Sequence, residues 1–490
     1  MTRSTQLAIA LSILAVAVRL IHINEPFVDT WSWRQSDVAA IARNYYSNGF
    51  HFARPQIDWV GDQSGYVGTE FPILPFLAAI AYKFLGVHEW IGRIQAVILF
   101  AVSLPFFFLL VRRRFNEIAA TWALFFYSFA PLGIMAGRCF MPDLPSLALS
   151  MVGLFFFQQW LEHEKSVPFI AGALCVSLSI LIKLPSILIG APLACLALQR
   201  FGLSAFRRPS LWSFAAIALL PSAIWYWHAY LIAQQFYPHH FFGAGGVRIM
   251  SVAWYWGILK LTAVASLTLL LVALGILGAI VARSTTSARI FYWWLGPMVI
   301  FMIAVGYGNR HPWYQLPFVP IAAAFAGAAC VHFAEKIRER WKRLALSILV
   351  IGAFGALAFR YTLSFYRSSG AIMRDAGLFL KRTTPPGSLI AAADTGDPTI
   401  FYYAERKGWH FPEKDGIYNG DPDDAEQAVT DLETLHKNGA RYLVLTSNTI
   451  WWLELYPMFR QHLDGIATLM EATPEFKIYN LNEEKNDGRN

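Results

Sequence analysis

Charge and cysteine are what this chain has least of. Asp, Glu, Lys and Arg make up only 15% of its 490 residues, against roughly a quarter in soluble domains. That scarcity excludes an ordinary water-soluble fold over most of the length, and the highly charged disordered class with it. The four cysteines, Cys139, Cys175, Cys195 and Cys330, show no CxxC or Cys/His spacing. Neither a structural zinc site nor a disulfide framework is expected, and each reads as a small apolar residue in a helix. No repeat of fixed period and no low-complexity tract is present. The net charge of +8 does not imply nucleic acid, because the basic residues lie mostly in short loops between apolar runs, which is a topology signal.

What the chain has is apolar surface: 56% hydrophobic and 16% aromatic residues, with a mean hydropathy of +0.42. A bilayer-spanning helix needs about 20 mostly apolar residues. About eleven such runs occur, at 6–23, 90–111, 116–135, 143–161, 167–183, 185–199, 211–233, 256–282, 290–307, 315–335 and 343–363. The first lacks a small-residue cleavage site and is expected to be an anchor rather than a signal peptide.

A cytoplasmic N-terminus places Arg112–Arg114, Glu162–Lys165, Arg200 with Arg207 and Arg208, Arg283 with Arg289, and Lys336–Arg343 inside. Four of these five links are strongly basic, as the positive-inside rule requires. Residues 24–89, the GRCFMPD and IKLPS turns, residues 234–255 and the GYGNRHPWY turn then face outward, as does the tail from about Tyr366. In that tail SLIAAAD and ARYLVLTS read as short buried strands, alternating with helical stretches such as DPDDAEQAVTDLETLHKNG. The expected architecture is a polytopic α-helical membrane domain over 1–365 and a small soluble α/β domain over 366–490. Asp394, Asp397 and His410 in the tail read as solvated loop residues.

The first outer loop, 24–89, is too long and too patterned for a connector. Ser36 is placed as the cap of a helix whose Val38, Ile41, Ala42 and Tyr45 recur at helical spacing, as in a helix lying on a membrane surface. EFPILPFLAAIAYKFLG, marked by Pro72 and Pro75, reads as an interfacial or re-entrant segment. Around them stand Asp29, Asp37, Asp58, Asp62 and Glu70, interleaved with Trp31, Trp33, Trp59 and Tyr66. Carboxylates bind or deprotonate sugar hydroxyls while aromatic faces cover the apolar side of the ring. The plainer reading of the aromatics is anchoring at the membrane interface.

Three further outer turns carry ionisable groups beside apolar spans: Arg138 with Asp143, Lys183, and Arg310 with His311 and Tyr314. Singly, each is explained by snorkelling to the interface. As a set, Arg138, Lys183 and Arg310 form a cationic group on one side of the membrane, suited to a phosphate.

These patterns, in this order and with this sidedness, resemble the GT-C glycosyltransferases of the PMT/ArnT-like group, family 39, over about residues 1–335. The resemblance rests on FVDTWSWRQSDVAAIARNYYSNG before and within the first juxtamembrane helix, on the Pro-containing GYVGTEFPILPFLAAIAYKFLG, on Asp143 in RCFMPDLPS, on Lys183 in LIKLPS and on HPWYQLPFVP. The family's adjacent Asp-Glu pair is replaced here by Arg34-Gln35, so both Asp29 and Asp37 stand as candidates for the catalytic base.

The resemblance implies a multi-pass bacterial inner-membrane enzyme with its active site and C-terminal domain on the extracytoplasmic face. Its donor is a sugar on a polyprenyl phosphate, and its acceptor a lipid, a glycan or a protein. It implies an inverting displacement with Asp29 or Asp37 as base and Arg138, Lys183 and Arg310 on the donor phosphate. Asp143, Asp58, Glu70, Tyr66, His311 and Tyr314 are candidates for the substrate. No cofactor is required and no metal ligands are assigned, although a divalent metal between Asp143 and Asp29 or Asp37 is compatible with the chemistry. The rival reading is a lipid or glycolipid transporter. Transport sites use ionisable groups near the bilayer midplane, and the middles of these runs are almost free of charge.

Overall fold

The computed structural model describes residues 3–238, 240, 246–414 and 417–481. Part of the outer link 234–255 and the end of the tail, residues 482–490, lie outside the described residues. The chain divides into two compact units: Met1–Asn24, Trp90–Ala229 and Ala244–Phe365 form one, and Glu25–Glu89, Tyr230–Gly243 and Tyr366–Asn490 the other.

The first unit is helical. Among the described residues, 8 helices are long and apolar enough to cross a membrane, or up to 9 if one bent pair counts as a span. All eleven expected runs coincide with helical segments, but three are not single uninterrupted spans of full length. The run at 116–135 is α5 (Glu117–Phe129) followed by α6 (Pro131–Ala136). The break is at Ala130, because a residue before proline is driven to the extended region and Pro131 then starts a new helix. The run at 167–183 is α8 (Ser166–Ile182), of 17 residues. The run at 256–282 bends by 103° between Val252–Ser266 and Leu269–Ala282.

Small and hydroxyl residues pack α7 (Asp143–His163) on α8. A Cβ on Gly153 would stand 2.6 Å from Val176 Cγ2. Ser146 Oγ donates to the Ser179 carbonyl at 2.7 Å, and the Ser150 and Ser179 hydroxyls lie 2.6 Å apart. The short link between α7 and α8 makes them an antiparallel pair, so the start of one and the end of the other share one side.

The second unit joins the outer loop to the tail. Helix α2 (Ser32–Ser47) starts four residues before the expected cap. Ser36 is therefore an interior residue, and its hydroxyl meets Thr399 Oγ1 at 3.1 Å. The apolar stripe of α2 is buried by protein rather than laid on lipid: Ile41 and Tyr45 pack with Ile57, Val60, Val67 and Ala79. Helix α3 (Ile73–Leu85) is the Pro-marked segment.

The tail is α/β. Strands β1 (Leu389–Ala393), β2 (Gly408–His410), β5 (Ala440–Thr446), β6 (Thr468–Ala472) and β7 (Phe476–Asn480) form a sheet in the order β2-β1-β5-β7-β6. The first three strands in that order run parallel, and β7 and β6 add antiparallel. Strands β3 (Glu413–Lys414) and β4 (Ile417–Tyr418) form a separate antiparallel ribbon. Alternation along β1 sends Ile390 and Ala392 to one core with Phe401 and Leu380, and Ala391 and Ala393 to the other with Leu432 and Phe459. Backbone bonds tie the loop to this sheet, with Gly61 N–H donating to Gly408 O at 2.6 Å and Gly408 N–H to Asp58 O at 3.0 Å.

Candidate active site

In the second unit the sequence places Arg34 three residues before Asp37 on α2, a spacing at which helical side chains meet. Arg34 Nη1 donates to Asp37 Oδ2 at 2.9 Å, and Arg34 Nη2 lies 3.1 Å from both oxygens of Glu70. His240 Nε2 also reaches Asp37 Oδ2, at 3.0 Å. Asp37 is 4% exposed. Both partners fall on one oxygen, while Oδ1 is buried without a hydrogen bond, as are His240 Nδ1 and Trp59 Nε1. Burial pushes the Asp37 carboxyl up, but His240, Arg34 and the Trp59 indole outweigh burial and hold it below its ordinary value. Asp37 is thus an ionised, buried carboxylate with one oxygen available.

Asp29 is differently engaged. It accepts from Gln35 Nε2 at 2.9 and 3.0 Å and from Trp31 N–H at 3.0 Å, an arrangement that fixes the start of α2. Both oxygens of Asp58 are taken, one by Arg43 at 2.7 Å and the other by Asn44 at 2.8 Å. The Tyr66 ring packs on Phe236 and lies 5.5 Å from the Arg54 guanidinium.

In the first unit, helix polarity places the charges. Asp143 stands in the first turn of α7 and Lys183 caps the end of α8, the ends at which an anion and a cation are favoured. Lys183 Nζ lies 3.3 Å from Asp143 Oδ1 and 5.1 Å from the centre of the Tyr314 ring. The pair is nearly enclosed, with side chains 9% and 5% exposed, while Asp143 Oδ2 has no hydrogen bond. Lys183, Asp143 and Tyr314 line a pocket whose walls include Trp294, Met298 and Phe301. Polar and apolar side chains share this lining.

The other two expected phosphate ligands are placed elsewhere in this unit. Arg138 is fully buried and donates to the His22 carbonyl. Arg310 lies over the Tyr307 ring at 4.5 Å, and His311 stacks on Trp313 at 4.4 Å. Neither arginine lines the Lys183 pocket.

Among the described residues, no three His, Cys, Asp or Glu side chains converge as metal ligands would. Asp37 is met by an arginine and a histidine. Sequence reasoning named Trp59 among the loop aromatics and Arg34 as a departure from the family pattern, gave neither a place beside Asp37, and passed over His240. The i,i+3 spacing was a signal for Arg34. His240 had none, being 203 residues from its partner.

Set beside known proteins, the chain matches ArnT from Cupriavidus metallidurans in the apo state with a TM-score of 0.69 and 15% identity, covering 98% of each chain. ArnT bound to undecaprenyl phosphate matches at 0.66 and 13%, with 96% of this chain and 97% of that one covered. The likeness is one of fold: the chain has the GT-C fold. The GT-C fold also covers the apo oligosaccharyltransferase of Archaeoglobus fulgidus, at a TM-score of 0.64 and 14% identity over 99% of this chain and 75% of that one. The family model described as dolichyl-phosphate-mannose-protein mannosyltransferase matches residues 69–228, a segment that contains Glu70, Asp143 and Lys183. No curated protein sequence matches this chain.

Proposed function

We propose that this GT-C protein transfers a sugar from a polyprenyl-phosphate donor to an acceptor hydroxyl on the extracytoplasmic face of a bacterial inner membrane. The observation that carries the reading is Asp37, a buried carboxylate whose charge is held by Arg34 and His240 while Oδ1 makes no hydrogen bond. That oxygen is the proton acceptor. As the acceptor oxygen bonds to the anomeric carbon, its proton passes to Asp37. The bond from that carbon to the donor phosphate breaks with its electron pair, inverting the centre and releasing polyprenyl phosphate. Lys183, in a pocket with an apolar wall, meets the charge that grows on the leaving phosphate. Asp143 keeps the ammonium in place until the phosphate arrives.

Two relatives carry polyprenyl phosphates in their structures, undecaprenyl phosphate in ArnT and a dolichol phosphate in the archaeal oligosaccharyltransferase. Orientation is supported by the basic links, which the positive-inside rule assigns to the cytoplasm. The engagement of both Asp29 oxygens favours Asp37 over Asp29 as the base. An archaeal relative has a structure with zinc and sulfate; among the described residues here, no three His, Cys, Asp or Glu side chains converge.

The test is transfer by the purified, reconstituted protein from a panel of radiolabelled polyprenyl-phosphate sugars, comparing wild type with Asp37→Asn, Asp29→Asn and Lys183→Ala. Turnover of one donor, lost in Asp37→Asn and Lys183→Ala while both remain folded, is the expected result. A wild-type protein that neither turns over nor binds any donor overturns the proposal.

A further inference from the structure

The tail holds a second carboxylate–imidazole pair, one that the mechanism above does not use. Asp394 follows β1 directly and His410 ends β2, so both stand at the carboxyl edge of parallel strands that pair Ala392 with His410. The strand order also turns at β1, with β2 on one side and β5 on the other. In open α/β sheets that edge, at such a turn, is where functional crevices form. The expectation of solvated loop residues fails here: Asp394 is fully buried and His410 is 5% exposed. His410 Nδ1 lies 2.8 and 2.9 Å from the two Asp394 oxygens. The carboxylate therefore fixes both the ring plane and the proton-bearing nitrogen.

The His410 ring has an aromatic neighbour from the outer loop, Trp59, at 5.1 Å between centres. Trp59 in turn lies 6.0 Å from the His240 ring and 5.1 Å from Tyr237. Its indole N–H is among the groups that hold the Asp37 carboxyl down. One indole thus touches both pairs, Asp37–His240 and Asp394–His410, and all five residues belong to the second unit.

We infer that Asp394–His410 is a positioning dyad for the acid–base centre: it seats the Trp59 indole, whose ring lies beside the His240 imidazole that meets Asp37 Oδ2. The inference rests on reading Asp37 as the base. His410 touches no reacting atom, and its effect passes through Trp59. The other groups that face His410 are Asp397 beyond β1, Glu413 on β3, Tyr418 on β4 and Phe401 on α17 (Thr399–Ala404). Burial pushes the carboxyls of Asp397 and Glu413 up to about 6 and about 7. His410 is among the groups that hold both down, so its removal raises them too, whereas Trp59→Phe leaves His410 in place and is the arm free of that change.

The experiment measures kcat against pH, with donor KM, for reconstituted wild type, His410→Ala, His410→Gln, Trp59→Phe and the His410→Ala/Trp59→Phe double variant. Loss of the seated indole loosens His240 and so weakens the hold on the Asp37 anion. The acid limb is therefore expected to move to higher pH by roughly half to one unit in His410→Ala and in Trp59→Phe. Donor KM stays within about twofold, the double variant shifts no further than either single one, and His410→Gln, which keeps a donor to Asp394, recovers most of the shift. A folded His410→Ala with the wild-type acid limb overturns the inference, as does a double variant whose shifts add. Should His410→Ala fail to fold, Asp394→Asn serves, with a smaller shift in the same direction expected and no shift overturning. Asp37→Asn is the separate arm. Full activity there removes the base itself, whereas an inactive Asp37→Asn beside unshifted His410 variants removes only the dyad.

Discussion

The carboxylate on α2 and the carboxylate on α7 are both paired with cations, yet the pairs are built differently. Asp37 gives one oxygen to two partners, an arginine one turn away and a histidine from a distant segment, and keeps the other oxygen unbonded. Asp143 has one lysine at 3.3 Å, placed by the polarity of two helices, in a pocket with apolar walls. In the first, the anion is the stabilised species and Arg34 and His240 are its supports. In the second, on the proposed reading, the cation is the group to be used, and the carboxylate holds it until another anion takes its place. A proton acceptor and a phosphate anchor need these opposite arrangements.

The largest expected effect removes the first arrangement. Asp37→Asn keeps shape and burial but has no anionic oxygen. Transfer is expected to fall by about 10²–10⁴-fold, the range for a general base, with donor KM little changed. Asp29→Asn, at a carboxylate that fixes the start of α2, is expected to cost far less in kcat and more in thermal stability. Equal losses in the two variants would break the distinction between the two aspartates.

Next in size is the second arrangement. With Lys183 meeting the leaving phosphate as proposed, Lys183→Ala is expected to lose about 10²-fold in kcat, the scale for one preorganised donor. It also leaves Asp143 buried without its cation, so the protein is expected to lose stability, by about 3–5 kcal/mol if the carboxylate stays ionised. Lys183→Ala/Asp143→Leu separates the effects: stability should return in a thermal unfolding assay while activity does not. Return of both would mean that Lys183 serves the fold alone.

Arg34→Gln probes the support of Asp37 more gently. The Asp37 carboxyl is held below its ordinary value partly by Arg34. Removing the guanidinium raises it, and the fraction of ionised base at low pH falls. The acid limb of kcat is expected to move to higher pH by about one unit, with activity at neutral pH reduced only a few-fold.

The sequence shows the helices because apolar length is a local property, and it shows the ends of α7 and α8 because charge at a helix end is local too. It does not show the 103° bend between Ser266 and Leu269, where no proline stands and Thr268 takes a positive φ of 83°. The candidate site was legible to the same degree. Asp37, Glu70, Asp143 and Lys183 stand out as charges among apolar and aromatic residues. Arg34 was visible only as a departure from the family pattern, yet here it bridges Asp37 and Glu70. His240 and the Asp394–His410 pair were not legible, because each depends on contacts made by tertiary structure. His410 meets Asp394 only because β1 and β2 pair in parallel register.

Glu70→Gln carries the smallest effect and the sharpest sign. Arg34 is shared, one nitrogen on Asp37 and the other on both oxygens of Glu70. Making Glu70 neutral removes a negative charge near Asp37 and leaves the guanidinium more fully to it. Both changes favour the Asp37 anion, so its carboxyl is held lower still. The acid limb is expected to move to lower pH by a few tenths of a unit, opposite in direction to Arg34→Gln. The same kinetics decide what else Glu70 does, because a carboxylate that binds a sugar hydroxyl would raise donor KM when neutralised, whereas one that only tunes Arg34 would leave KM where it was. A shift to higher pH would mean that Glu70 holds Arg34 against Asp37 rather than competing for it, and the α2 cluster would then work as one rigid network instead of a balance of charges.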